Sequence, residues 1–70
     1  MVEIFKTNVQ TQTEASHIID QLKNILSKAS INFDLEDCDK ILRVEGLSKS
    51  NIKTIIADVT RSGYLCELLN

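Results

Sequence analysis

The chain has 70 residues, 43% of them hydrophobic and 26% charged, with a net charge of −2 and a sequence pI of about 5.2. This is one small domain, residues 1–70, too apolar and too weakly charged for a disordered segment. The acidic balance excludes nucleic acid as the main partner, because phosphate binding needs a basic stripe, and no window reaches the ~20 apolar residues of a membrane-spanning helix.

The opening "MVEIFKTN" mixes acid and base without a long apolar run, which does not describe a secretory leader. Two cysteines, Cys38 and Cys66, are too few for a disulfide scaffold. Free thiols fit a reducing compartment, so the expected location is the cytoplasm. A core of this size is marginal, and helix caps must contribute much of its stability.

Proline is absent and only Gly46 and Gly63 are glycine. Val2–Val9 is rich in β-branched and aromatic residues and reads as a strand. Ala15, Ile18, Ile19, Leu22, Leu26 and Ala29 then fall in steps of three and four, the stripe of an amphipathic helix. In "INFDL", Ile31, Phe33 and Leu35 alternate with Asn32 and Asp34, a half-buried strand. "EDCDK" is a polar turn and "ILRVE" a second strand, giving a hairpin with a loop of four or five residues.

After Gly46, Ser48 is a good N-cap, with Leu47 placed to staple onto Ile52. Ile52, Ile55, Ile56 and Val59 form the stripe of a second helix. Arg61 lies in its last turn and Gly63 just past it. "YLCELL" closes as a fourth strand. The order β-α-β-β-α-β predicts a ferredoxin-like α+β fold: a four-stranded antiparallel sheet with two helices on one face.

That topology brings Gln10–Glu14, Glu36–Lys40 and Ser62–Tyr64 to one end, where a loop-built site is expected. "FKTNV" followed by "TQTE", then "DLEDCDKILRVEG" and "RSGYLCELL", resembles heavy-metal-associated domains of the copper-chaperone type over nearly the whole chain. The resemblance implies a Cu(I)-type site of two thiolates in a C-x-x-C loop at the first helix. Thr11 and Glu14 occupy those two positions here. Soft ions need thiolates, so the implied metal function is lost, and no cofactor is expected.

T-x-x-E has its own meaning. Thr11 as N-cap accepts from the Glu14 N–H, while the Glu14 carboxylate reaches back to the Thr11 N–H and faces the positive end of the helix dipole. The loop reads as a helix start that satisfies itself without an ion.

Other candidates are set against plainer readings. Cys38, at the hairpin tip, is a soft ligand, a reactive thiol or a turn residue. Cys66 reads as a small core hydrophobe. A Cys38–Cys66 bridge depends on a distance that sequence does not supply. His17 sits on the polar face one turn from the loop, and a Cys38–His17–Glu14 zinc site requires all three to converge. Asp34, Glu36, Asp37 and Asp39 lack the spacing of a calcium loop and read as a solvated tip. One histidine, no phosphate loop and no catalytic triad argue against an enzyme. Arg43 without aromatics does not make an RNA-binding sheet.

Ile4, Ile41, Leu65 and Leu69 are expected on the uncovered sheet face, as an interface or as scattered surface aliphatics. The first functional expectation is a protein-interaction or accessory module with an unknown protein partner, docking around Thr11, Glu14, Cys38 and Tyr64 or through the open sheet. The alternatives are weak copper or zinc binding through Cys38 or the acidic hairpin, and a small-ligand-binding regulatory domain that forms a homodimer through the sheet.

Overall fold

The computed structural model describes residues 2–69. Their order is β1 (Val2–Thr7), α1 (Gln12–Ile25), β2 (Ser30–Asp34), β3 (Ile41–Glu45), α2 (Lys49–Arg61) and β4 (Cys66–Leu69). The strands form one sheet in the order β2-β3-β1-β4, with every neighbouring pair antiparallel. This is the ferredoxin-like arrangement, and it follows from two hydrophobic periods in the sequence.

Along the strands the period is two. Register places Phe33, Leu42, Phe5 and Leu68 in one row across all four strands. Leu42 and Phe5 are fully buried there, while Phe33 and Leu68 pack against the core from its margin. The adjacent row, Asn32, Arg43, Ile4 and Leu69, faces the other way. Along the helices the period is 3.6. Ala15, Ile18 and Leu22 of α1 and Ile55 and Val59 of α2 lie over the first row. α1 packs along β2, α2 packs along β4, and the helices touch each other. Ile18, Leu22, Ile55, Val59, Phe5 and Leu42, fully buried, each contribute roughly 1.5–3 kcal/mol by leaving water. Phe5→Ala, at the centre of the row, is expected to cost about 3–5 kcal/mol in urea denaturation.

Several boundaries differ from expectation. β1 ends at Thr7, two residues before Val9, because the Thr7 hydroxyl donates to the Lys40 carbonyl and accepts from the Val9 N–H. Thr7 is thereby buried with its polar atoms satisfied, and Val9 reaches the core from the loop. β2 runs Ser30–Asp34, so Leu35 joins the hairpin loop, which extends through Lys40. Lys40 leaves that loop at φ 48°. The α1 stripe also outruns its helix. Leu26 is already the C-cap, and Ala29 is buried from the turn beyond. β4 begins at Cys66 rather than at Tyr64.

Tyr64 is held by the end of α2. The Gly63 N–H donates to the Thr60 carbonyl and the Tyr64 N–H to the Val59 carbonyl, the paired bonds of a Schellman motif. Gly63 sits at φ 98°, where a Cβ would strain the backbone. Among the described residues no helix is long and apolar enough to cross a membrane.

Candidate functional site

β1 runs up to Thr7, α1 starts beside it, and α2 ends nearby, so two loops meet. Thr11 has extended backbone angles, φ −126° and ψ 157°, as an N-cap requires. Its hydroxyl accepts from the Glu14 N–H at 3.2 Å. Glu14 Oε1 accepts in return from the Thr11 N–H at 3.1 Å, from the Gln10 N–H at 3.2 Å and from the Thr11 hydroxyl at 3.2 Å. The reciprocal box read from "TQTE" is formed.

The other carboxylate oxygen is taken from a distance of 50 residues in sequence. The Tyr64 hydroxyl donates to Glu14 Oε2 at 2.9 Å. That bond first, then the one from the Gln10 N–H, hold the Glu14 carboxyl below its ordinary value against an opposing effect of desolvation, with the two Thr11 bonds adding smaller effects. The same carboxylate raises the Tyr64 phenol above 10.0. The two loops are joined once more where the Leu65 N–H donates to Asn8 Oδ1 at 2.8 Å. Lower down, the Ser62 hydroxyl donates to Gln21 Oε1 at 3.2 Å.

Between these contacts lies an open groove of about 440 Å³, lined by Glu14, His17, Ile18, Asp20, Gln21, Ser62 and Tyr64. Thr11, Glu14 and Tyr64 are thus brought together as expected, and His17 stands beside them. Ser62 lies in the expected loop segment, while Asp20 and Gln21 are additions that the sequence did not single out. For Gln21 the signal was the α1 spacing, since residues 14, 17, 18 and 21 share one helix face.

Cys38 is placed elsewhere. It is exposed at the hairpin tip, and its sulfur lies with carboxylate oxygens of Asp37 and Asp39 within a 4.8 Å cluster. The tip folds on itself: Asp34 accepts from the Glu36 N–H, Asp37 from the Asp39 N–H, and Lys40 Nζ donates to the Leu35 carbonyl. The tip is also docked on β1, through the Thr7 N–H to the Asp39 carbonyl and Lys6 to Asp39 at 3.9 Å. The postulated Cys38–His17–Glu14 zinc set does not form: Asp37, Cys38 and Asp39 are the only such cluster among the described residues. Glu14 is turned into its own helix start while Cys38 stays with the tip.

Cys66 is buried, and burial pushes its thiol up to about 11. Both cysteines are free, so the conceivable Cys38–Cys66 bridge is absent. The sequence reading also missed Asp58, which is buried on α2, bonded to Arg61 at 2.9 Å, and has no partner for Oδ2 among the described residues. Its helical position, one residue before Val59 and three after Ile55, was the available signal.

Comparison of the chain with protein-family profiles, with curated proteins and with solved structures finds no match.

Proposed function

We propose that this chain is a small non-catalytic interaction module, built like a heavy-metal-associated domain, whose leading loop closes on itself and whose loop end engages a protein partner. One observation carries the reading: the Glu14 carboxylate is filled by four donors from the chain itself. Three donors saturate Oε1 and the Tyr64 hydroxyl takes Oε2, which keeps at most one open acceptor direction, and among the described residues no other His, Cys, Asp or Glu clusters with Glu14 to complete an ion site. By resemblance, Thr11 and Glu14 stand where a thiolate pair would stand, and neither supplies sulfur.

What the arrangement offers instead is a rigid surface. The capping box fixes Thr11 and Glu14, and the Schellman turn fixes Tyr64. A surface ordered before binding loses less entropy on docking. His17 and the ring of Tyr64 border the groove and give a partner both apolar and polar contacts.

A second reading is low-affinity metal binding at the hairpin tip. The Asp37, Cys38 and Asp39 cluster favours it. One thiolate with two carboxylates is poorer than a thiolate pair for soft ions. Titrating the reduced chain with Cu(I) and Zn(II) against a competing thiol, read by native mass spectrometry, separates the two. The expected result is no retained ion. Stoichiometric retention abolished by Cys38→Ser would establish the second reading. Retention abolished by Glu14→Gln would defeat the first. Capture of a specific protein by the parent chain, lost in a folded Tyr64→Ala variant, is expected for the docking surface.

A further inference from the structure

The groove beside Glu14 and Tyr64 carries charge of one sign. Glu14 and Asp20 line it with two carboxylates, no lysine or arginine lines it, and His17 is its one basic side chain. Neither carboxylate belongs to an ion pair among the described residues. Two cations stand close in the chain. Arg61, next to Ser62, is held by Asp58 at 2.9 Å. Lys23, two residues past Gln21, is turned ~200° round α1, away from the groove. A nucleic acid or an anionic lipid surface is repelled by such a groove, and a cationic partner is drawn to it.

The two carboxylates set how many cations the occupant brings. Glu14 keeps at most one open acceptor direction, at Oε2, which suits a single N–H donor. Asp20 is exposed on the same helix, six residues on, which is about 9 Å along the axis. One ammonium group with contacts of ~3 Å does not reach across that spacing. Between the charges the lining is partly apolar: Ile18 is buried there and Tyr64 presents its ring. Lysine and arginine stems lie along such surface while their heads meet carboxylates or the face of a ring.

The hairpin tip is acidic too, but its carboxylates are engaged locally. Asp34 and Asp37 accept from backbone N–H groups of the tip, and Asp39 faces Lys6, with Lys40 at the same end. The groove differs in that its charge is unmatched by any cation of the chain, and the capping box and the Schellman turn hold its Glu14 and Tyr64 walls in place. A charged site ordered before binding loses less entropy when the partner arrives.

We propose that the partner engaged at the loop end is a protein presenting a basic segment, whose lysine or arginine side chains lie in this groove against Glu14, Tyr64 and Asp20. The inference rests on the loop-end docking reading and names the chemistry of its partner. The probe is a short end-blocked peptide of alternating lysine and glycine, titrated into the isotope-labelled intact chain and followed by amide NMR shifts. Saturable shifts centred on residues 14–21 and 62–64 are expected, with a Kd on the order of 1 mM. Raising salt from ~20 mM to ~300 mM is expected to remove most of the binding. Asp20→Asn is expected to weaken it by about 2–5-fold, and Asp37→Asn, at the hairpin tip, to leave the Kd in place. The same peptide with its lysines acetylated is expected to cause no shifts. An absence of shifts at ~10 mM peptide overturns the proposal, as do shifts centred on residues 34–39 or an equal response to the acetylated peptide. A specific protein captured through Tyr64, with binding that neither Asp20→Asn nor the higher salt weakens, also overturns it while leaving the docking reading in place.

Discussion

The two helices begin in the same way and differ in what the beginning is attached to. At α1, Thr11 and Glu14 cap each other. At α2, Asn51 Oδ1 accepts from the Ser48 N–H at 3.1 Å and from the Ser48 hydroxyl at 3.0 Å. The second start is neutral and local: its bonds stay within Ser48, Ser50 and Asn51. The first start is ionised, and its second carboxylate oxygen holds Tyr64 from the far end of α2. One cap ends a helix. The other ends a helix and also locks two loops together at the end of the molecule where a site is expected. A charged residue at the third helical position makes the difference, because a carboxylate accepts at both oxygens and favours the helix dipole.

The largest test of this contrast is Thr11→Ala. It removes the acceptor for the Glu14 N–H and is expected to cost about 1 kcal/mol, up to ~2. In a domain of this size that lowers Tm by roughly 4–8 °C for each kcal/mol. An unchanged melt would sink the capping claim. Ser48→Ala is expected to cost less, ~0.5 kcal/mol, at the low end of capping losses, because the α2 bonds run chiefly through the Ser48 N–H and Asn51.

The third test uses pH. Glu14 has a folded-state carboxyl lowered below 4.5, so its stabilisation is present above that value and fades as pH falls through the folded one. Melting between pH 7 and pH 3 should show an acid loss that is smaller in Glu14→Gln, small in absolute terms because the group is solvent-exposed and screened. Parallel acid curves would mean that the ionised cap contributes nothing. Asn51 has no charge to lose, so the α2 start should not respond.

Tyr64→Phe is the smallest perturbation. It leaves the capping box intact and removes only the phenol, so the Glu14 carboxyl should move back up toward 4.5, as followed by NMR titration. Tyr64 is raised above 10.0, so its bond persists below that pH and is lost as pH rises through the folded value. The Cys66 contribution is likewise present below 9.0 and lost as pH rises toward about 11. With a thiol reagent at neutral pH, Cys38 should react fast and Cys66 only on opening. Comparable rates would contradict the burial of Cys66.

Much of this was legible in the residues. The stripes Ala15–Ile18–Leu22 and Ile55–Val59, the alternation of Ile31 and Phe33, and the stop at Gly63 gave the fold, since each is a local periodicity or a local backbone requirement. The capping box at Thr11 was legible for the same reason: all of its bonds lie within five residues. Strand ends were less legible. β1 stops at Thr7 because of a bond to Lys40, 33 positions away, and no local signal carries that. The zinc trio failed for the converse reason: proximity to one end of a topology does not make side chains converge, and Glu14 had nearer partners.

The sequence by itself determined the secondary elements, the inward row through Phe5, and the closure of the α1 start by Thr11 and Glu14. These depend on periods of two and 3.6 residues and on hydrogen bonds between near neighbours. Only the tertiary structure decided that Tyr64 completes the Glu14 carboxylate, that Asn8 and Leu65 join the same two loops, and that Cys38 stays apart with Asp37 and Asp39. Each of these depends on where a strand register and a helix end place one atom within about 3 Å of another, and the chain sets that distance only once the sheet has formed.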